Sequence, residues 1–374
     1  MTVHTEMCDR YGIEFPIFAF SHCRDVVAAV SRAGGFGVLG ALAFGPEQLE
    51  IELDWVDEHT DGKPYGVDLV LPEKFVESGE QDRDAGIKRI EEMIPQEHWD
   101  FVEKVLAKHD VPPLPPDFDA TPVAAGLEAG GLVPRQVEIA MEHDNVKMLV
   151  NALGPPPEYA VEAAHSRGID VAALTGSVRH AERNLERGVD ILVAQGTEAG
   201  GHCGEISTMV LIPEVVDAVG DRAPVLAAGG IGSGRQMAAA LALGAQGVWT
   251  GSIWLTVAES ETSPVVIDNL LAATSRDTVR SRAMTGKPAR QLRTAWTDAW
   301  DDPEGPGPLP MPLQGILYSN AGRRITRAQS QALSGSPVGQ IVGRMNRVRP
   351  AKDVIFDMVE ECIEATERLE GFMQ

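Results

Sequence analysis

Short apolar runs alternate with amphipathic stretches along most of this chain, and that rhythm limits the fold more than any single motif. Residues 15–20, 37–40, 65–71, 146–151, 170–175, 189–194, 225–228 and 247–250 are predominantly apolar. Apolar runs this short read as strands buried on both faces, as in a parallel sheet. Between them, residues 25–32, 46–58, 157–167, 178–187, 213–219 and 233–243 read as helices. Strands alternating with helices imply parallel βαβ units. About eight such units fit a (β/α)8 TIM barrel in the α/β class, with a doubly wound sheet as the alternative.

The rhythm breaks twice. Residues 72–120 are charged and end in the proline-rich run 111–116. They read as an insertion with helices at 84–93 and 99–108, then an extended proline segment. The insertion is either a surface excursion or a lid over the barrel mouth, since long insertions often shape active sites. After residue 260 the pattern turns helical and irregular, with a loop over 300–313 and an amphipathic helix over 354–369. The expected organisation is a barrel from 1–71 and 121–260, an insertion from 72–120, and a helical region from 261–374 packing on the barrel. Insertion and C-terminal region together would make a smaller, mostly helical lobe.

Composition narrows the partners. The chain has 374 residues and a formal charge of −23, from 32 Lys+Arg against 55 Asp+Glu. Nucleic acid and anionic membranes both favour basic surfaces, so neither is an expected partner. An anionic ligand must find a local pocket of basic groups or backbone N–H groups. The four cysteines, at 8, 23, 203 and 362, form no CxxC pair, which argues against a zinc site or a redox motif. No apolar run reaches the ~18 residues of a membrane span, and residues 1–6 lack signal-peptide character. These features suit a cytoplasmic enzyme and leave a homo-oligomer open.

Chemistry concentrates where strands end, the edge at which α/β proteins bind ligands. Three consecutive strands lead into small residues: Gly200-Gly201, Gly229-Gly230 and Thr250-Gly251-Ser252. Converging backbone N–H groups and a helix N-terminus form an anion site, so the spacing itself points to a phosphorylated cofactor or substrate. His202 lies beside these glycines, and an imidazole titrates near neutral pH. A Rossmann site would need its glycines after the first strand, whereas Gly34-Gly35-Phe36-Gly37 follows a helix. Cys203 reads as small filler, because no third group is visible to support a Cys–His pair. Glu198 either orients His202 or faces solvent.

Several stretches then suggest a family. AGGFG at 33–37, PYGV at 64–67, AQGTEAGGHCG at 194–204, AAGGI at 227–231 and TGS at 250–252 resemble the nitronate monooxygenase (2-nitropropane dioxygenase-like) flavoenzymes. The resemblance spans roughly residues 10–70 and 135–260, with a looser match at Gly339-Gln340, and the 195–204 string is its specific part. It implies a barrel that binds FMN. Gln195, Gly200 and Gly201 would then contact the flavin, and Gly229, Gly230, Thr250, Gly251 and Ser252 would surround the phosphate. Ala19, Phe20 and Ser21 would lie against the isoalloxazine ring, with Asp68 and Thr175 in the same cofactor set. His202 matches the family's active-site histidine, the base that takes a proton from the substrate carbon.

Two departures bear on specificity. Asp68 stands where the family usually has Asn, and a carboxylate there needs a donor or contacts the flavin's N–H edge. Residues 20–24 (FSHCR) replace the family's small first turn, so His22 and Arg24 either reach the substrate or lie in a solvated loop. The leading expectation is oxidation of alkyl nitronates with O2 through FMN. The alternatives are an NAD(P)H-dependent flavin reductase of quinones or enoyl thioesters, and a flavin-free barrel lyase or isomerase acting on a phosphorylated substrate.

Overall fold

Eight parallel strands close into a barrel in strict sequence order, with β8 returning to β1. The computed structural model describes residues 3–71, 89–115 and 133–373. The first half runs α1 (Glu6–Tyr11), β1 (Ile17–Ser21), α2 (Arg24–Arg32), β2 (Phe36–Gly40), α3 (Pro46–His59), β3 (Tyr65–Leu69) and α4 (Gln96–Lys108). It continues with α5 (Val133–Glu142), β4 (Val146–Asn151), α6 (Glu158–Ser166), β5 (Asp170–Thr175), α7 (Val178–Glu186) and β6 (Ile191–Gln195). Then follow α8 (Thr208–Val219), β7 (Val225–Ala228), α9 (Gly234–Ala242), β8 (Gly247–Thr250) and α10 (Pro264–Ala272). The remainder comprises β9 (Thr278–Ser281), β10 (Ala289–Leu292), α11 (Ala295–Asp301), α12 (Leu313–Ala328) and α13 (Ala351–Phe372). Of the helix expected at 84–93, residues 84–88 lie outside the described residues and 89–92 are helical; 72–88 and 116–120 of the insertion, read as a surface excursion or a lid, also lie outside them. No described helix is long and apolar enough to cross a membrane.

Alternation along each strand divides the core into two layers. Inward side chains such as Phe18, Phe36, Val38, Met148, Val150, Ile191, Val193, Leu226 and Trp249 fill the barrel, and Met7, Cys8, Tyr11 and Ile13 join them from the N-terminal segment. Tyr11 also donates to Asp170 Oδ2 at 2.6 Å, beside a bidentate Arg10–Asp170 pair. Outward residues such as Ile17, Leu39, Val67, Leu149 and Leu192 pack under the helices.

The C-terminal region contributes to both the barrel and a separate lobe. α13 packs against α9 and α2, and its Ala351, Ile355, Met358 and Cys362 enter the outer barrel core. Residues 94–111 and 283–333 share a different core, with Trp296, Trp300, Leu317 and Ile325 against Val102 and Leu106. Arg324 joins the two segments: it is ion-paired with Glu103 and donates to the carbonyls of Pro112 (3.0 Å) and Val111 (3.3 Å). This lobe is helical except for β9 and β10, an antiparallel ribbon that the irregular pattern after 260 had not suggested.

One helix starts earlier than expected. α8 begins at Thr208 and carries Pro213 inside it, whereas the sequence pattern starts it at Pro213, because proline favours the first turn. The earlier start has a tertiary cause. The Glu198 carboxylate accepts from Thr208 N (2.9 Å) and Thr208 Oγ1 (2.8 Å), capping the helix from another loop.

Candidate active site at the barrel mouth

Strand alternation selects which of the expected residues face the mouth. Tyr65, Val67 and Leu69 of β3 belong to the outer layer, so Asp68 points inward, as Phe20 does on β1 and Gln195 on β6. Phe20 lies 6.3 Å from Trp249, nearly parallel, and meets His22 edge-on at 5.1 Å. His22 Nδ1 hydrogen-bonds Gly40 O at 2.7 Å, and a side chain at Gly40 would collide with both rings. The first loop therefore folds its two rings over the end of β2. The Gln195 side chain has no hydrogen-bond partner among the described residues.

Four expected residues direct their side chains elsewhere. Ala19 belongs to the outer layer. Arg24 turns onto α3, 3.4 Å from Glu52 and 4.6 Å above the Trp55 ring. Thr175 Oγ1 donates to Ser177 O, and Thr250 Oγ1 donates to Phe18 O while accepting from Trp254 Nε1. The side chains of all four are thus occupied by packing or local bonds rather than presented to the mouth. Ser21 Oγ likewise accepts from Cys23 N at 3.1 Å.

The glycines have separable jobs. Gly229 and Gly230 take positive φ, +103° and +67°, a region that side chains with a Cβ disfavour. Among the described residues no protein acceptor takes the amides of Gly230, Ile231 or Gly251, and a Cβ at Gly251 would meet only Phe20 Cδ1, at 3.9 Å. Unclaimed N–H groups at the ends of β7 and β8, beside the N-terminus of α9, form a cradle suited to an anion. Gln236, which the sequence pattern did not flag, braces the turn: its Oε1 accepts from Gly232 N (3.1 Å) and its Nε2 donates to Gly230 O. Gly200 is small for another reason. A Cβ there would lie 2.8 Å from the backbone of Val338 and Gly339, while Ser252 Oγ accepts from Gly339 N at 2.8 Å. The segment around 339 thus closes over two of the three glycine-rich strand ends.

The loop after β6 is clamped by the β9–β10 ribbon. Gly201 and Arg290 exchange backbone hydrogen bonds of 2.8 and 2.7 Å. Arg290 Nε donates to Thr197 O at 2.9 Å, and an Arg280 amine donates to Cys203 O at 3.4 Å. His202 is exposed at this rim, with Nδ1 3.1 Å from Pro288 O and Nε2 3.4 Å from Thr285 Oγ1. Glu198 caps α8 and so neither orients His202 nor faces solvent freely. Burial raises the Cys203 thiol above its ordinary range, despite the nearby Arg280 and Arg290, which keeps it a poor nucleophile at neutral pH.

Asp68 is 6% exposed and its carboxyl has no partner among the described residues. Burial pushes its pKa well above the ordinary 3.8, which favours the protonated carboxyl, a donor as well as an acceptor. The folded chain holds a proton that the unfolded chain releases above pH 3.8, so stability falls as pH rises through the interval from 3.8 to the raised value. Asp68→Asn is expected to remove that penalty. Its thermal midpoint should exceed the parent's at neutral pH and converge on it below pH 3.8. Parallel pH profiles for the two proteins would refute this reading of Asp68.

Comparison with known proteins bears on what this mouth holds. A family model described as nitronate monooxygenase matches residues 4–361. Rv1533 of Mycobacterium tuberculosis, described provisionally as a monooxygenase, is 54% identical over 380 residues that cover all of both chains. FabK from Thermotoga maritima is 27% identical with a TM-score of 0.71, covering 99% of this chain and 100% of FabK. A nitroalkane oxidase from Streptomyces ansochromogenes superposes with a TM-score of 0.77 over 97% of this chain and 99% of its own, and at 24% identity it speaks for the fold.

Proposed function

Because the chain belongs to the nitronate monooxygenase family, a family of flavin-dependent oxidoreductases, we propose that it binds FMN and oxidises alkyl nitronates with O2. The observation that carries this reading is the meeting, at one rim, of an unclaimed N–H cradle and an exposed imidazole. Gly229, Gly230, Ile231 and Gly251 fit a phosphate: Gly229 and Gly230 make a left-handed turn, the unclaimed amides of Gly230, Ile231 and Gly251 are donors, and only Phe20 approaches the missing side chain of Gly251. Gln195 and Asp68 offer hydrogen bonds to the polar edge of a flavin, and Phe20 offers a ring surface. FMN, when bound, supplies the electron acceptor between substrate and O2.

The protein's own share is proton chemistry and placement. An alkyl nitronate arrives already deprotonated at carbon. A neutral nitroalkane must first lose its α-proton, and His202 is the group at the rim able to accept it. His22, held over Gly40, lines the opposite approach and limits the substrate's bulk. Arg24 is taken out of this role by its pairing with Glu52.

Anaerobic mixing tests the reading. Protein purified with its yellow cofactor is expected to bleach rapidly with propyl-2-nitronate and slowly with NADH or NADPH. Protein without flavin absorbance would overturn the cofactor assignment. Rapid bleaching by a nicotinamide alone would favour the reductase alternative.

A further inference from the structure

The β9–β10 turn brings two oxygen atoms to one imidazole, one for each ring nitrogen. Pro288 O is a carbonyl and can only accept, so its 3.1 Å contact requires the hydrogen of His202 to sit on Nδ1. In the neutral ring this leaves the lone pair on Nε2. Thr285 Oγ1 lies 3.4 Å from Nε2, and the same hydroxyl has a second acceptor, Lys287 O, at 3.2 Å. A hydroxyl that gives its hydrogen to Lys287 O turns a lone pair toward Nε2. Two acceptors facing both ring nitrogens are fully matched only by the imidazolium, the state that exists after His202 has taken a proton.

We propose that the turn from Thr285 to Pro288 is a positioning device for His202, presenting Nε2 as the proton-accepting atom and stabilising the imidazolium formed there. This rests on the proposed role of His202 as base. In the step concerned, the α-C–H bond of a nitroalkane breaks, its electron pair passes to the nitro group, and its proton goes to Nε2. In the resting enzyme the Thr285 hydroxyl satisfies the lone pair on Nε2; as substrate enters, that hydroxyl turns to Lys287 O and leaves the lone pair to the α-C–H. After the step, Thr285 Oγ1 shares the new N–H while its own hydrogen stays on Lys287 O. Neither state leaves a ring nitrogen or the hydroxyl without a partner.

The device is remote in sequence from the residue it serves. It reaches His202 because the ribbon pairs with the loop after β6 at Gly201 and Arg290. Arg290 is 8% exposed and fixes the ribbon's register through Thr197 O and Thr278 Oγ1. Thr285 itself is partly exposed in the turn, so a substitution there leaves the core intact.

Holoenzyme assays with neutral nitroethane and with preformed ethyl nitronate test the proposal on Thr285→Val, Thr285→Ser and His202→Asn. Loss of one transition-state hydrogen bond lowers kcat about tenfold. Thr285→Val is therefore expected to lose that factor on nitroethane with KM within about twofold, while its nitronate rate and flavin content hold. Thr285→Ser should restore the rate. Equal loss on both substrates, or no recovery with serine, would mean a merely structural role and overturn the proposal. An active Thr285→Val beside an inactive His202→Asn would also overturn it, leaving His202 as base. An active His202→Asn would remove the base reading itself. Imidazole 15N NMR of the resting enzyme gives a substrate-independent check: the Nδ1–H tautomer is expected, and the Nε2–H tautomer would overturn the assignment.

Discussion

Replacing His202 by asparagine is expected to lower turnover of neutral nitroethane by about 10²–10⁴-fold, the usual contribution of a positioned general base. Flavin content should be unchanged, because His202 contacts the ribbon and not the glycine cradle. Asparagine keeps a polar side chain of similar reach that can still donate to Pro288 O, so the loop should hold its path. What it lacks is a nitrogen basic enough to accept the α-proton. Preformed nitronate carries no such proton, and its oxidation should fall far less. That contrast gives the experiment its force: a general collapse of the loop would depress both substrates together. Steady-state rates on the two substrates, with flavin quantified by absorbance, are the measurement, and an unchanged nitroethane rate would refute the assignment.

Gly230→Val should cost the protein its flavin. Gly230 sits at φ +67° with its missing Cβ only 3.0 Å from Glu198 Cβ. A β-branched residue in the left-handed region is strained by about 1–2 kcal/mol before any clash is counted. The chain can relieve that strain by rotating the peptide around 230, which swings the unclaimed amides of Gly230 and Ile231 off the cradle. It can also push Glu198 away, which releases the cap on Thr208. Each route weakens the phosphate site, and affinity for FMN is expected to drop about tenfold or more per donor lost. Fluorescence titration of stripped protein with FMN measures it, with circular dichroism confirming that the barrel persists. Full occupancy in a folded Gly230→Val protein would falsify the placement of the phosphate.

The barrel was largely legible because its signals are local. Eight apolar runs of strand length fall within a few residues of β1 to β8, since a parallel strand must be apolar on both faces over its whole length. The motif at 195–204 and the strand ends at 229–230 and 250–252 were equally plain. Glycine at a strand end marks places where backbone, rather than side chain, meets its neighbour. The ribbon was not legible: each strand has four residues, one carries Arg280 and the other Arg290, and neither offers an apolar period. Arg24 looked available as a free cation after an unusual loop, but α3 brings Glu52 and Trp55 to it.

By itself, the sequence determined the alternation of strands and helices, the glycine-rich strand ends and the histidine beside them, together with the family resemblance those residues carry. Each depends on residue type and spacing along a few tens of positions. The tertiary structure alone decided the remaining assignments. It turned Asp68 inward with no partner among the described residues, took Arg24, Thr175 and Thr250 into other bonds, and made Glu198 a helix cap. It also brought Thr285 and Pro288 across more than eighty positions to His202. Such contacts follow from how β-strand alternation and chain crossings aim side chains in space, and a partner's identity cannot be read from the residue that awaits it.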